Sequence, residues 1–518
     1  SCHYIEACGK HMLVDYGMEQ GKNLFENIEI PIEASAIDYV FLTHAHIDHS
    51  GLLPLLAKNG FTGKIYATEA TTDLAGIMLR DSAHIQMFEA EWRNRKAKRS
   101  KDVPLFTPLY DMENADTAIS CFVPVQYDKK TEVCEGIDVR FTDVGHLLGS
   151  AAVELWLTED GITKKIVFSG DIGNLRQPLL KDPQKVKEAD YLLIESTYGD
   201  RLHTKERVDY VKELTQVLET TFKRGGNVVI PSFAVGRTQE MLYFLREIKE
   251  KNMLPDFPYF KVYMDSPLAV EATEVFHKNQ NSCFDEEAME FVKKGINPIE
   301  FPGLCLAITS EESKEINFID EPKVIISASG MCDAGRIRHH LKHNLWRPEC
   351  TVLFVGYQSV GTLGRALVDG VERVKLFGEE IDVKAEIKAL AGLSGHADRD
   401  GLLDWVDGFE KKPDKVFVVH GEDTVTDIFA NTLKEEKGLD AYAPYSGTVY
   451  DLIKAEFVNK AAGIRITKSE KRTGNPVFDR LLAAGQRLLS IIRKNEHMAN
   501  KDLAKFADQI DALSDKWG

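Results

Sequence analysis

Short apolar runs of strand type, each ending in one ligand-type residue, recur along this chain and restrict its fold more than any other feature. His11-Met12-Leu13-Val14 ends in Asp15, Tyr39-Val40-Phe41-Leu42 in Thr43-His44, and Tyr191-Leu192-Leu193-Ile194 in Glu195. Lys165-Ile166-Val167-Phe168 leads to Asp171, and Lys415-Val416-Phe417-Val418-Val419 to His420. A short continuous apolar run suits a strand buried on both faces. Acids and histidines at the ends of such strands line one rim of a sheet assembly, where a purely structural protein has no use for them. At 518 residues the chain is also too long for one ordinary core, so at least two domains are expected.

Between about 205 and 385 the rhythm changes to strand, Ser/Gly loop, helix, repeated. Asn227–Pro231 precedes Ser232-Phe233-Ala234-Val235-Gly236 and a helix from Arg237; Phe260–Met264 precedes Asp265-Ser266-Pro267. Val324–Ser327 precedes Ala328-Ser329-Gly330-Met331 and a helix near Gly335–Leu345, and Thr351–Val355 precedes the Gly356–Thr362 loop and another helix. Strands alternating with helices imply a mostly parallel sheet with crossover helices. Loops of this kind expose backbone N–H groups at helix starts and favour anions such as phosphate. Beyond about 454, Val477–Lys494 and Asp502–Lys516 show helical spacing, with Asn500 as a candidate cap. Packing on the body or an oligomer contact would both explain that tail, which leaves a homodimer open.

A net charge of −17 repels polyanions, so any nucleic-acid chemistry must rest on a local basic groove and bound metal. Arg93, Arg95, Lys96, Lys98, Arg99 and Lys101 form a dense basic run that reads first as a solvated helix face. Arg237, Arg336, Arg338 and Arg365 follow the Ser/Gly loops, and with Ser232, Ser266, Ser329 and Gly330 they are the candidate phosphate contacts. His339, His340 and His343 are spread around a helix by their spacing and read as surface or packing residues. The eight scattered cysteines, with no C-x-x-C pair, indicate a reducing cytoplasm and small buried side chains. No apolar run is long enough for a membrane span. Ser1 stands where a methionine is absent and no basic-then-apolar leader follows, so a processed or partial chain without a secretory signal is expected.

The segment His44-Ala45-His46-Ile47-Asp48-His49 packs four ligand-type side chains into six positions. In an extended stretch His44 and His46 point the same way, leaving Asp48 and His49 for a second ion. Imidazole with carboxylate suits zinc, or manganese where carboxylates dominate. The other ligands come from other strand ends. The resulting assignment puts His44, His46 and His146 on one zinc, Asp48, His49 and His420 on a second, and Asp171 between them. Asp15 has no ligand slot and reads as a carboxylate that orients a ligand histidine. Paired metals of this kind can supply hydroxide and clamp an in-line displacement at phosphorus.

These residues resemble the ligand set of the metallo-β-lactamase superfamily. Glu195-Ser196-Thr197-Tyr198-Gly199, Ser394-Gly395-His396-Ala397-Asp398 and Val419-His420-Gly421-Glu422 resemble the further motifs of its β-CASP branch, whose members act on nucleic acid. The likeness runs from Ser1 to about Leu452 and is strongest toward bacterial and archaeal homologues of the pre-mRNA cleavage endonuclease, through Ser329–Arg336 and Gly356–Arg365. It implies an α/β fold: an αββα sandwich from residues 1–199 and 386–453, an inserted β-CASP domain over 200–385, and a C-terminal extension over 454–518. The family's first strand would be missing ahead of Ser1. It also implies a zinc-dependent ribonuclease acting on single-stranded RNA, with Asp48 and Asp171 catalytic through the metals. Glu195 and His396 would face those metals from the cleft, His396 as general acid or phosphate-binding cation and Glu195 orienting it. A hydrolase of small molecules, a non-catalytic scaffold and a DNA nuclease of the same branch are the alternatives.

Overall fold

The computed structural model describes residues 1–19, 24–97, 106–203, 208–390, 392–466 and 500–517, with positions 488 and 492. Two compact units divide the chain, one of Ser1–His84 and Tyr110–Ile464, the other of Ile85–Leu109 and Arg465–Gly518.

The first unit holds three main sheets. A five-stranded sheet runs in the order Cys2–Ala7, Lys10–Tyr16, Tyr39–Phe41, Lys64–Thr68, Phe122–Val125. A seven-stranded sheet runs Ala441–Tyr442, Lys415–Val418, Tyr191–Ile194, Ile162–Phe168, Ala151–Glu159, Ile137–Asp143, Thr131–Cys134. Side chains alternate across the pleat. Met12, Val14, Phe41 and Tyr66 of the first sheet meet Phe141, Val153, Ile166 and Phe417 of the second in a common core. Leu13, Val40, Leu42 and Ile65 face the other way, onto Leu53, Leu56, Leu74 and Leu79. Val167, Leu192, Val416 and Val418 meet Leu402, Trp405, Phe429 and Leu433 from the helices Arg399–Val406 and Asp423–Lys437. Apolar residues on both faces of each strand thus produce the αββα sandwich, each buried large side chain worth about 1.5–3 kcal/mol.

The third sheet is all parallel, in the order Leu304–Leu306, Lys261–Asp265, Lys323–Ser327, Val228–Pro231, Thr351–Phe354, Glu386–Ala389. Val228, Ile230, Val262 and Ile326 join the same buried cluster as the helices outside the five-stranded sheet, so sandwich and insertion share one core.

Two strand pairings fall at the boundaries read from the sequence. Glu386–Ala389 pairs with Thr351–Phe354 as the last strand of the parallel sheet; its Glu-Ile-Lys-Ala pattern is that of an edge strand and does not read as buried. The hairpin Val449–Asp451 with Glu456–Asn459 straddles residue 454. Its turn is made by Asp451, whose Oδ1 accepts from Ile453 N and Lys454 N at 2.9 Å, without a Gly or Pro to announce it. In the second unit the helix Asn500–Trp517 contains Asn500 and Asp502–Lys516, while Val477–Lys494 lies outside the described residues apart from positions 488 and 492. Among the described residues no helix is long and apolar enough to cross a membrane. All eight cysteines are free thiols, but only Cys283, Cys332 and Cys350 are buried; Cys2 is exposed and the other four half-buried, because strand edges and turns carry them.

Candidate active site

The rim of the sandwich is assembled from the strand ends anticipated above. After Tyr39–Phe41 the chain passes buried Thr43 and His44 into the short helix Ile47–Ser50, which carries Asp48 and His49. Ser50 Oγ ties this turn to the carbonyls of Ala45 (2.8 Å) and His46 (3.0 Å). Gly17 lies so close beneath that a Cβ would stand 1.7 Å from the Asp48 carbonyl oxygen.

His44, His46, His146 and Asp171 converge as one group. His46 Nδ1 lies 3.1 Å from His44 Nε2 and 3.2 Å from His146 Nε2, and Asp171 Oδ2 lies 3.5 and 3.6 Å from those two Nε2 atoms. Ligand atoms around a tetrahedral ion with bonds of roughly 2.0–2.2 Å stand about 3.3–3.6 Å apart. Asp48, His49 and His420 form the second group. The other oxygen of Asp171, Oδ1, is 3.4 Å from His49 Nε2 and 3.3 Å from His420 Nε2, while Asp48 Oδ2 is 4.0 and 3.7 Å from the same atoms. One carboxylate therefore faces both groups, an oxygen to each.

The far nitrogens of these rings set their tautomers. His146 Nδ1 donates to the Gly395 carbonyl at 2.9 Å, and His49 Nδ1 to Asp15 Oδ2 at 2.7 Å, so each turns Nε2 inward; burial opposes charge on His49, but Asp171 and Asp15 push its pKa up to about 10, so a cation bound there would replace the Nε2 proton. Asp15 also accepts from Thr43 N (2.8 Å) and Thr43 Oγ1 (2.9 Å). Burial first, then neighbouring imidazoles, keeps His44 and His146 well below the usual histidine range, hence neutral and able to donate a lone pair. Burial opposes ionisation of Asp171, but His420, His49 and His44 outweigh it and hold the carboxyl well below its ordinary value. His49 Nε2 and Asp171 Oδ1 are buried polar atoms with no hydrogen-bond partner, a costly arrangement unless a cation sits between them. The donor set, its spacing and these orphaned atoms fit divalent metal.

Glu195 and His396 stand beside the first group. His396 Nδ1 is 3.4 Å from the Glu195 carboxylate and 3.9 Å from Asp171 Oδ2. Glu195 is fully buried and accepts from the backbone N–H of Ile172 and Thr197. Burial disfavours protonation of His396, but Glu195, Asp171 and Asp48 outweigh it and push its pKa up to about 9. The loop carrying His396 is held by side chains that sequence reading missed: Gln177 Nε2 donates to Gly395 O at 3.0 Å, and His203 Nε2 lies 3.0 Å from the His396 carbonyl. His203 is eight residues past Glu195, a proximity that could have flagged it; Gln177 carries no signal in the sequence.

The candidate phosphate contacts fare differently. Arg237 pairs with Glu240 and donates to Leu393 O at 3.0 Å. Arg336 reaches Asp265 at 2.7 Å and the carbonyls of Ala307 and Ile308, and Arg365 pairs with Asp369 at 2.9 Å. Ser232 Oγ donates to Phe233 O, Ser329 Oγ to Ala334 O, Ser266 Oγ accepts from Ala269 N, and Gly330 is buried against Phe233. These groups sit at the ends of the parallel strands as expected, and each polar side chain has a partner within the protein, the serines in their own loops and Arg237 and Arg336 across to other loops, because a half-buried donor left unpaired is costly. Arg338 lies over the Phe377 ring at 5.1 Å. His340 is a fully buried packing residue, 2.6 Å from Asp265 Oδ2, and His339 stacks on Phe377. Arg93 and Arg95 pair with Glu89 and Glu91 along their own helix, and Lys98, Arg99 and Lys101 lie outside the described residues.

A carboxylate facing two imidazole-rich groups on the rim of an αββα sandwich defines a metallo-hydrolase as the class of protein. Family models agree in detail: "Metallo-beta-lactamase superfamily" matches residues 1–214, "Beta-Casp domain" 238–367, and "Zn-dependent metallo-hydrolase RNA specificity domain" 380–444. The chain belongs to the metallo-β-lactamase superfamily, in its β-CASP branch. It is similar to Ribonuclease TTHA0252 of Thermus thermophilus, 37% identical over 424 residues that cover 82% of this chain and 90% of that protein. An RNase J-like protein of Methanocaldococcus jannaschii is 31% identical, with 87% and 96% covered. Transcription termination factor FttA of Methanosarcina mazei is 30% identical, with 84% of this chain and 67% of that protein covered.

Proposed function

We propose that this chain is a cytoplasmic ribonuclease that hydrolyses phosphodiester bonds of single-stranded RNA with two zinc ions, leaving a 3′ hydroxyl and a 5′ phosphate. The observation that carries the reading is Asp171, whose two oxygens each face a separate ligand group at 3.3–3.6 Å. The names of the similar proteins and of the matching family models support RNA as the substrate. Bound at the two groups, zinc supplies Lewis acidity and a water of lowered pKa near the scissile phosphorus.

The protein's own residues do the rest. His44, His46 and His146 define the first pole, Asp48, His49 and His420 the second, and Asp171 sets their separation. Asp15 fixes His49 as an Nδ1–H donor. His396, protonated beside Glu195, stands at the edge of the first group and gives its proton to the departing 3′ oxygen. A non-catalytic scaffold is disfavoured by the completeness of both ligand groups, and a small-molecule hydrolase by the inserted domain.

The test is incubation of purified protein with 5′-labelled and internally labelled single-stranded RNA, with and without chelator. Cleavage that stops with chelator, returns with zinc and is absent from an Asp48→Ala, His49→Ala variant supports the proposal. The product ladder separates internal from 5′→3′ cleavage, and reconstitution with manganese identifies the preferred ion. Chelator-resistant cleavage, or full activity in the double variant, sinks the proposal.

A further inference from the structure

Arg237 does not present its guanidinium as a phosphate contact should. It is the first residue of the helix Arg237–Glu250 of the inserted domain, and its side chain is only 12% exposed. One nitrogen is ion-paired with Glu240, itself 10% exposed, and another donates to the Leu393 carbonyl at 3.0 Å. A guanidinium neutralised by a buried carboxylate and spent on a backbone carbonyl has little left for an incoming phosphate.

Leu393 opens the turn that ends in His396. The sandwich holds the second half of that turn: Ala397 N donates to Ile172 O at 2.8 Å, His146 and Gln177 hold Gly395 O at 2.9 and 3.0 Å, and His203 holds the His396 carbonyl at 3.0 Å. Among the described residues of 208–385, Arg237 is the one side chain that hydrogen-bonds residues 392–398. The preceding Gly236 has φ +83, and a Cβ there would lie 3.3 Å from Leu147 Cδ1, next to His146. Loop and arginine together seat the insertion against both the metal-group turn and the His396 turn.

We propose that Arg237 is a positioning residue: from the inserted domain it anchors the Leu393 end of the turn, so that His396 stays aimed at Glu195 and Asp171. The proposal rests on His396 acting as the acid for the departing oxygen. Misplacing a reacting group by about 1 Å can cost on the order of 100-fold in rate. Arg237→Ala should therefore lower kcat on RNA by about 10- to 100-fold, with KM and zinc content unchanged.

The discriminating measurement uses two substrates, single-stranded RNA and a p-nitrophenyl phosphodiester of thymidine. The p-nitrophenolate leaves without needing a proton. Activity on it should fall far less than cleavage of RNA in Arg237→Ala, and His396→Ala should show the same direction of difference between the two substrates. Arg237→Lys, which keeps one donor for Leu393, should fall between wild type and alanine, and the thermal midpoint identifies any variant that merely fails to fold. A raised KM with unchanged kcat would return Arg237 to the phosphate contacts and overturn the proposal. So would an equal loss on both substrates, or no effect at all while the wild type cleaves RNA. A wild type inactive on RNA would instead refute the ribonuclease reading and take the proposal with it.

Discussion

Asp15→Asn exchanges one carboxylate oxygen for an amide nitrogen in a site that leaves no room for the exchange. Asp15 is 2% exposed and accepts three hydrogen bonds, from Thr43 N, Thr43 Oγ1 and His49 Nδ1, at 2.7–2.9 Å. Asparagine offers one accepting oxygen. If that oxygen stays on Thr43 N–H, the amide NH2 faces His49 Nδ1, which must then accept. The proton moves to His49 Nε2, the atom 3.4 Å from Asp171 Oδ1, and the lone pair needed by a metal is lost. Displacing such a supporting partner costs about 10- to 100-fold in metal affinity, or roughly 1.4–2.8 kcal/mol. The penalty should fall on the group of Asp48, His49 and His420, with the His44, His46 and His146 group nearly unaffected. Zinc titration against a chromophoric chelator, with binding of both ions resolved, measures it. Two sites of wild-type affinity in Asp15→Asn would refute the tautomer argument; equal weakening of both would mean that Asp15 supports the whole rim and not one ring.

Against burial, Glu195 leads the carboxylates that together raise His396 to about 9, so in Glu195→Gln the pKa falls and the alkaline limb of the RNA-cleavage pH profile should move to lower pH with zinc content unchanged. Asp143 is nearly fully buried, and burial raises its pKa from 3.8 to about 7. Because the folded value lies above the unfolded one, the folded state loses stability as pH rises from about 4 through about 7, on the order of 2–4 kcal/mol. Asp143→Asn should accordingly raise the thermal midpoint at pH about 8 far more than at pH about 4, and equal shifts at both would contradict the linkage. Gly17→Ala would put a Cβ 1.7 Å from the Asp48 carbonyl oxygen, so the Ile47–Ser50 turn must shift. Overpacking of this kind costs typically 1–3 kcal/mol, and the denaturant midpoint and second-ion affinity should both drop.

Much of the architecture was legible because local pattern and burial coincide. Strands apolar on both faces, such as Lys10–Tyr16 and Tyr191–Ile194, could only lie inside a layered sandwich, and each delivers its acid to the rim. The segment Glu386–Ala389 and the hairpin at Val449–Asp451 were harder to read. An edge strand with charged residues and a turn built on Asp451 carry no periodic apolar signal. The partners of the arginines after the Ser/Gly loops were not legible for a different reason: composition gives a side chain's charge but not its partner, and Glu240, Asp265 and Asp369 pair with three of them.

What this chain's sequence determined on its own was the inventory of candidate ligand residues, from residue type and motif, and their placement at strand ends, from short-range periodicity. Tertiary structure alone decided that His46 turns Nδ1 inward while His44 and His146 turn Nε2, that Asp171 divides its two oxygens between two groups, and that Arg237 braces the turn before His396. Those outcomes depend on which distant segments meet and on which polar atom each burial leaves unpaired. Spacing along a chain carries no term for either.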